Sequence, residues 1–384
     1  MVGIDIVKIS RVEKIYLKYD EKFLNRIFND EEISYIKYKN NRVQSIAGLF
    51  AAKEAVSKAV GTGIGSTSFK DIKIYYENSS PYAICRGYIY KLSISHDGGF
   101  AVAVAIKDKV AIDDEFKGIL NNRNSDTHKG DYGRVAIVAG SMGMTGSAFL
   151  ASNAALRCGS GLVYNIVPRD ILEIMSIKYV EPIVKSFNKN SDMLDFLNNM
   201  DSILIGPGIG LDDTSEKKVK DVLSLNKNIV VDADGLTHLA KNLSVLENRR
   251  EFSTVLTPHV GEFSRLTGIS HDEINKNREK LAMEFAKRYK VILLLKGNRT
   301  VVTNGKDIYI NKTGNPSMAT AGSGDVLSGI LVSLVGRKIE LFKASSMAAN
   351  IHGVAGDLAR DELSEESVIA SDIILFLSKV LVNY

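Results

Sequence analysis

The chain is 384 residues long, with 45% hydrophobic and 24% charged residues and a formal net charge of +4. These proportions exclude a disordered or fibrous protein, and the length points to two folded domains. Apolar runs such as Val291 to Leu295 fall well short of the roughly 20 residues a membrane span needs, so a cytoplasmic protein with neither membrane nor nucleic acid as partner is expected.

Charge divides unevenly. Residues 1–112 carry 17 Lys+Arg against 12 Asp+Glu, and the remainder carries 32 against 33. A basic first part suits an acidic partner or a polyphosphate, although a drift of a few charges has the same appearance. The two cysteines, Cys85 and Cys158, come without an export signal, so buried thiols are expected rather than a disulfide.

In chain order, β-like runs are predicted at Val2 to Val7, Ile72 to Tyr76 and Phe100 to Ile106, with the clearest helix from Gln44 to Val60. Asp108 to Asp131 is rich in charge and asparagine and poor in large apolar residues, which places a boundary there. We read 1–112 as the first domain, 113–122 as a linker and 123–384 as the second domain. Beyond it, apolar runs at Val135 to Ala139, Ser202 to Ile205, Ile229 to Val231 and Val291 to Leu295 alternate with helix-length segments. That rhythm predicts an α/β domain with a parallel sheet and crossover helices.

Chemistry-bearing residues of the first part fall in three strings: Gly3 to Val7, Phe50 to Ala59, and Ser93 to Asp97 ahead of a strand. Glu54 and Lys58 stand four apart on one helix face. A strand carboxylate, Asp5, and a helix carboxylate, Glu54, suit one Mg²⁺ that keeps waters and takes phosphate oxygens, with Lys58 reaching the same phosphates. The glycines at 61, 63 and 65 suit close approach of backbone N–H groups to a diphosphate. Taken singly, the pair reads equally as a solvated surface pair and the glycines as a helix cap and turn.

Together these strings resemble the holo-acyl-carrier-protein synthase family over residues 1–107. The resemblance implies an α+β 4′-phosphopantetheinyl transferase fold and Mg²⁺-dependent transfer of phosphopantetheine from coenzyme A to a serine of acyl carrier protein. It implies Asp5 and Glu54 as Mg²⁺ ligands, with Glu54 or a bound water taking the serine proton, and Lys58, Gly63 and His96 near coenzyme A. It also implies a trimer-based homo-oligomer with sites between subunits, and Arg11 and Arg26 as contacts for the acidic carrier protein. Leu49 departs from the arginine frequent in such proteins.

In the second part, Asn315 to Gly329 contains a glycine-rich turn ending in Asp325 at the start of an apolar helix. A helix N-terminus there favours an anion, and an aspartate beside it can take a hydroxyl proton, although a lone aspartate in that place more often only caps. Gly206 to Gly210, Asp232 to Leu236, Thr257 to Phe263 and Lys296 to Thr300 each follow a predicted strand, and ligands gather at such strand ends.

With His128 to Gly133 and Ala139 to Ser141, these motifs resemble the dehydratases that repair hydrated NADH and NADPH, over about 123–380. The resemblance implies a ribokinase-like three-layer fold with a mainly parallel sheet, and ADP as the phosphoryl donor to the (6S) hydrate, leaving AMP and phosphate. It implies Lys296, Gly297, Asn298, Arg299, Thr300 and Gly324 at the nucleotide, Ser147, Gly208, His259 and Asp325 at the hydrate, and Asp325 as base. The competing readings are a small-alcohol kinase on the same fold for the second part and a silent oligomerisation module for the first.

Overall fold

The computed structural model describes all residues except 62–66, 78, 111–112, 121–122, 124 and 383. Chain contacts separate two compact units, Met1–Asp113 and Asp114–Val382 with Tyr384.

The first unit holds β1 (Val2–Lys8), α1 (Ile9–Ile27), α2 (Asp30–Tyr38), α3 (Arg42–Val60), β2 (Lys73–Glu77), β3 (Ser80–Cys85), β4 (Tyr88–Asp97) and β5 (Phe100–Val110). Its five strands form an antiparallel sheet in the order β1-β5-β4-β3-β2. The Ser93 to Asp97 string stands ahead of the strand β5 as expected and is itself the end of β4, with Gly98 and Gly99, both at positive φ, making the hairpin turn. Helix α1 carries Arg11 and Arg26 and buries Val12, Leu24 and Ile27, and α2 buries Glu32 and Ile36. Arg42–Val60 packs across the sheet on buried alanines. A Cβ on Gly3 would stand 2.0 Å from the Ala55 carbonyl oxygen, so only glycine lets β1 lie this close to α3.

A buried ion pair ties α3 to the rest. Lys53 Nζ sits 2.7 Å from Glu32 Oε2, with side chains 0% and 3% exposed. The ammonium also donates to the carbonyls of Phe69 (2.9 Å) and Ile72 (2.7 Å). Glu32 in turn accepts the backbone N–H groups of Asn29 and Ile74, both at 2.8 Å. Every charge here has hydrogen-bonded compensation, the condition under which burial of an ion pair is tolerated.

The second unit contains β6 (Arg134–Val138), α4 (Thr145–Arg157), β7 (Leu162–Ile166), α5 (Leu172–Lys178), β8 (Ile183–Lys185), α6 (Asn190–Leu197) and β9 (Ser202–Ile205). It continues through α7 (Asp213–Leu223), β10 (Asn228–Val231), α8 (Asp234–Ala240), β11 (Thr254–Leu256), α9 (Val260–Thr267), α10 (His271–Lys276), α11 (Arg278–Tyr289) and β12 (Ile292–Leu295). It closes with β13 (Val301–Thr303), β14 (Ile308–Ile310), α12 (Ser323–Gly336), α13 (Leu341–Glu362) and α14 (Ala370–Leu381). The sheet order is β14-β13-β12-β11-β10-β9-β6-β7-β8, parallel from β8 to β12 with an antiparallel hairpin at the other edge. Helices cover both faces: α6 to α9 and α11 pack on one, α4, α12 and α13 on the other. Strands β9 and β12 are therefore buried throughout, which explains their unbroken apolar runs.

In the segment read as a linker, Phe116 is fully buried, with its ring 5.5 Å from Tyr309 and 6.4 Å from Tyr384. Both cysteines are free and buried.

Replacing Lys53 by Met leaves Glu32 buried and unpaired, so Lys53→Met should cost about 3–5 kcal/mol. A urea titration of the full chain, followed by a probe in the first unit, should show the loss. An unchanged midpoint would mean that Glu32 escapes to solvent when its partner goes.

Candidate functional site

Two clusters of charged side chains emerge, one in each unit. In the first, β1 presents Gly3, Asp5 and Val7 to α3, and the close approach at Gly3 brings Asp5 beside one turn of that helix. Lys58 Nζ lies 2.8 Å from Asp5 Oδ1 and 3.0 Å from the Ile4 carbonyl. Glu54, one turn earlier, is half-buried. Burial and the Asp5 carboxylate push its carboxyl above the usual range, against the pull of Lys58. Two converging carboxylates short of counter-charge form an oxygen donor set suited to Mg²⁺, which fills the remainder of its shell with water or phosphate. The residues thus fit the metal.

His96 lies elsewhere in the chain. Its Nε2 is 3.1 Å from the Gln44 carbonyl, and a Cβ on Gly48 would stand 2.7 Å from that nitrogen. Gly48 precedes Glu54 by more than a helical turn and a half, so the structure does not bring His96 to the carboxylates within one chain. Gly63 lies outside the described residues. Arg11 and Arg26 are exposed on α1, and Leu49, at 2% exposure, faces the core.

The second cluster stands at the carboxyl ends of the parallel strands. The chain winds from β6 through β7 to β8 in one direction, then from β9 through β12 in the other, so the crevice between β6 and β9 is a topological switch point. Across it, the Gly140 N–H donates to the Pro207 carbonyl (2.9 Å) and Ser141 Oγ to the Gly208 carbonyl (2.8 Å). Gly206 at φ 129° abuts the loop after β10, where a Cβ would lie 1.9 Å from the Asp232 carbonyl oxygen.

Into this crevice projects Lys296, from the end of β12. Its Nζ is 2.7 Å from Asp232 Oδ1 and 3.7 Å from Glu262 Oε2. Burial works against the ammonium, but Asp232, Glu262 and Asp325 outweigh it and hold the group above its ordinary value. Asp325, in the first turn of α12, has its carboxyl pushed up to about 6. Burial is the main cause, followed by Asp232. A hydrogen bond with the Ser147 side chain and the Lys296 charge oppose it. Gly208 adjoins the same place, since a Cβ there would stand 3.2 Å from Ser147 Cβ. Asp325, Ser147, Gly208 and Lys296 are thus gathered in one crevice, and Gly324 adjoins them, because its Cβ position is 3.4 Å from Lys296 Nζ.

His259 caps α9. Its Nδ1 accepts from the N–H groups of Gly261 (2.9 Å) and Glu262 (3.2 Å), which leaves Nε2 to carry any proton. Burial, then Lys296 and Arg265, lower its pKa, favouring the neutral ring. Gly297, Asn298 and Arg299 are exposed in the turn after β12, which Thr300 Oγ1 closes on the Gly297 carbonyl at 3.0 Å.

The sequence reading missed Asp232 and Glu262 as the carboxylates that fix Lys296, although both stand in motifs it quoted. Proximity across two strand ends is the missing information. It also missed His352 on α13, whose Nε2 is 3.2 Å from Ser323 Oγ at the start of α12, and whose pKa burial lowers to about 4. Among the described residues, no group of three or more His, Cys, Asp or Glu side chains forms a metal site, and no helix is long and apolar enough to cross a membrane.

Comparisons with known proteins match the two parts of the chain to two families. Residues 135–378 match the family profile described as NAD(P)H-hydrate dehydratase. Residues 1–105 match that of the 4′-phosphopantetheinyl transferase superfamily. The chain is 40% identical over 277 residues to the bifunctional NAD(P)H-hydrate repair enzyme Nnr of Moorella thermoacetica, covering 69% of this chain and 52% of the relative. It therefore spans about half the length of the bifunctional relatives it matches. It is 30% identical to the ADP-dependent (S)-NAD(P)H-hydrate dehydratase of Bacillus subtilis, covering 70% of this chain and 96% of that protein. A crystal structure of the Bacillus subtilis ADP/ATP-dependent dehydratase, co-crystallised with ATP/Mg²⁺, superposes with a TM-score of 0.58 at 28% identity over 68% of this chain and 93% of that one. Hydroxyethylthiazole kinase from Pyrococcus horikoshii shares the fold, at TM-score 0.50 and 17% identity over 67% of this chain and 93% of that one.

The raised Asp325 value has a sign that can be measured. Its carboxyl titrates near about 6 in the folded chain against 3.8 as the ordinary value. The folded state therefore holds the proton more tightly, and this contribution to stability is full below about pH 4 and lost as pH rises through about 6. Asp325→Asn should raise the melting temperature above pH 6, worth up to about 3 kcal/mol, and the gain should vanish near pH 4. A lower melting temperature above pH 6 would show that the carboxylate is a stabilising cap.

Proposed function

Since the chain belongs, through residues 135–378, to the NAD(P)H-hydrate dehydratase family, we propose that it joins two activities on two folded units. One is ADP-dependent dehydration of hydrated NADH and NADPH. The other is transfer of 4′-phosphopantetheine from coenzyme A to a serine of acyl carrier protein. The observation that carries the first is the Asp325 carboxylate, at the N-terminus of α12, hydrogen-bonded to Ser147 and facing the Lys296 ammonium at the switch point.

In this reading Ser147, Gly208, His259 and Asp325 face the hydrate, while Lys296 to Thr300 and Gly324 hold the nucleotide. Asp325, ionised at neutral pH, accepts the proton of the hydrate's hydroxyl as that oxygen attacks the β-phosphorus of ADP. The bond to the bridging oxygen breaks and AMP leaves. The phosphate ester then departs with the carbon–oxygen bond while the neighbouring carbon gives up a proton, which restores the nicotinamide double bond. The first-turn N–H groups of α12 stabilise the phosphoryl charge. A shared fold leaves a small-alcohol kinase as the rival, against which Pro258 to Glu262 and Lys296 to Thr300 speak.

For the first unit, the geometry of Asp5, Glu54 and Lys58 supports the transferase reading over a silent oligomerisation module. Asp5 and Glu54 would hold Mg²⁺, which when bound neutralises charge on the diphosphate. Lys58 would turn its ammonium to the phosphates, and Glu54 would take the serine proton. The relative's crystal with ATP/Mg²⁺ supports a nucleotide and Mg²⁺ in the second unit too. A homo-oligomer is supported by the outer face of β1, where Val2, Ile4 and Ile6 are 60%, 57% and 62% exposed at a sheet edge. Exposed Arg11 and Arg26 suit the acidic carrier protein. We place both activities in the cytoplasm, with the boundary region between 113 and 122.

Two variants separate the activities. Glu54→Gln should lower phosphopantetheine transfer to apo carrier protein by orders of magnitude and leave dehydration unchanged. Asp325→Asn should lower dehydration kcat about 10²–10⁴-fold and leave transfer unchanged. Assays with hydrated NADH and ADP, and with coenzyme A, Mg²⁺ and apo carrier protein, read both. Phosphorylation of alcohols by ATP without hydrate turnover would favour the kinase. Expressed apart, 1–113 and 114–384 should each keep their own activity, and inactive halves beside an active full chain would mean that neither unit works alone.

A further inference from the structure

The nucleotide turn after β12 has a charge problem. Lys296, its obvious cation, is already committed to carboxylates: Asp232 at 2.7 Å and Glu262 at 3.7 Å. Arg299 is exposed, at φ 57°. A polyphosphate arriving at this turn needs another positive group close by, because a multiply charged anion gains little from an ammonium already paired.

Arg278 supplies one. It is the first residue of α11, and its side chain crosses to the end of β12, where Nη2 donates to the carbonyls of Leu295 (3.0 Å) and Lys296 (3.2 Å). Those two bonds fix the plane of the guanidinium beneath the turn. Both Nη atoms lie 3.0 Å from where a Cβ on Gly297 would stand, and Gly297 has a φ of 145°, so the glycine is what lets the guanidinium lie this close to the turn. Nε is buried and has no hydrogen-bond partner.

The placement is costly for the protein alone. Burial is the one influence on the guanidinium, holding it below the ordinary arginine value, and among the described residues no carboxylate offsets it. A cation in the first turn of a helix is also opposed by the helix dipole. Beyond the two carbonyl bonds nothing among the described residues compensates the buried charge, whereas an anion received at the turn would.

We propose that Arg278 is a phosphate-binding residue of the nucleotide turn, its guanidinium taking oxygens of a nucleoside diphosphate through N–H groups not used by Leu295 and Lys296. This rests on the nucleotide reading of residues 296–300. The arginine positions the turn through the two carbonyls and supplies the missing charge from below.

Equilibrium dialysis of the full chain with ADP and with adenosine tests it. Arg278→Gln should weaken ADP at least tenfold and leave adenosine unchanged, because only the phosphates contact the arginine. Arg278→Lys should fall between, since an ammonium keeps the charge but not the planar fork. Unchanged ADP affinity in Arg278→Gln, or an equal loss for ADP and adenosine, would overturn the proposal, the second outcome reducing the arginine to a prop for the turn. A wild-type chain that binds no ADP would instead overturn the nucleotide reading itself.

Discussion

At Gly3 and at Gly206 the main chain runs against another piece of main chain so closely that a Cβ would lie 2.0 Å from the Ala55 oxygen and 1.9 Å from the Asp232 oxygen. These approaches set the distance between elements on which both charge clusters depend. Separated by one more methyl layer, β1 would carry Asp5 away from Glu54 and Lys58, and the loop after β9 would draw away from the one after β10. Opposed charges at 2.7–2.8 Å, as in Asp5 with Lys58 and Asp232 with Lys296, interact strongly only while they are held there.

Around those contacts the two units solve the same problem with different means. The first buries one complete ion pair, Lys53 with Glu32, beside the helix turn that carries Glu54, so the functional glutamate is fixed by its sequence neighbour. The second gathers carboxylates around Lys296, and Asp325, raised first by its burial and then by Asp232, bears the consequence. A base held near neutrality is the useful product of a locally unfavourable arrangement.

Much of this was legible in the sequence. Spacing alone put Glu54 and Lys58 on one helix face, and strand-end glycines marked the crevice where Asp325, Ser147 and Lys296 meet. What could not be read was depth and direction. Lys53 sits inside the quoted string Phe50 to Ala59, yet it points away from Glu54 into the core, and nothing in the local sequence separates the two lysines of that helix until Glu32 is seen opposite one of them. Phe116 looked like part of a polar connector because its neighbours are polar, whereas its aromatic partners come from residues 309 and 384. His96 shares its sheet face with Val7 through β5, but the helix register carries it away from the carboxylates.

The pairing of β1 with β5 also governs when the first unit becomes a structure at all. Val2 aligns with Ile106 and Lys8 with Phe100, so β1 finds its partner only after about a hundred further residues have been made. Until then β1 has no ladder to join, and Asp5 has no lasting neighbour in Glu54, since closing so long a loop carries an entropic cost that only the finished sheet offsets. During synthesis β1 must therefore wait unpaired until β5 emerges. In the parallel sheet of the second unit, by contrast, β6 finds its first partner in β7, the next strand made, and gains β9 later.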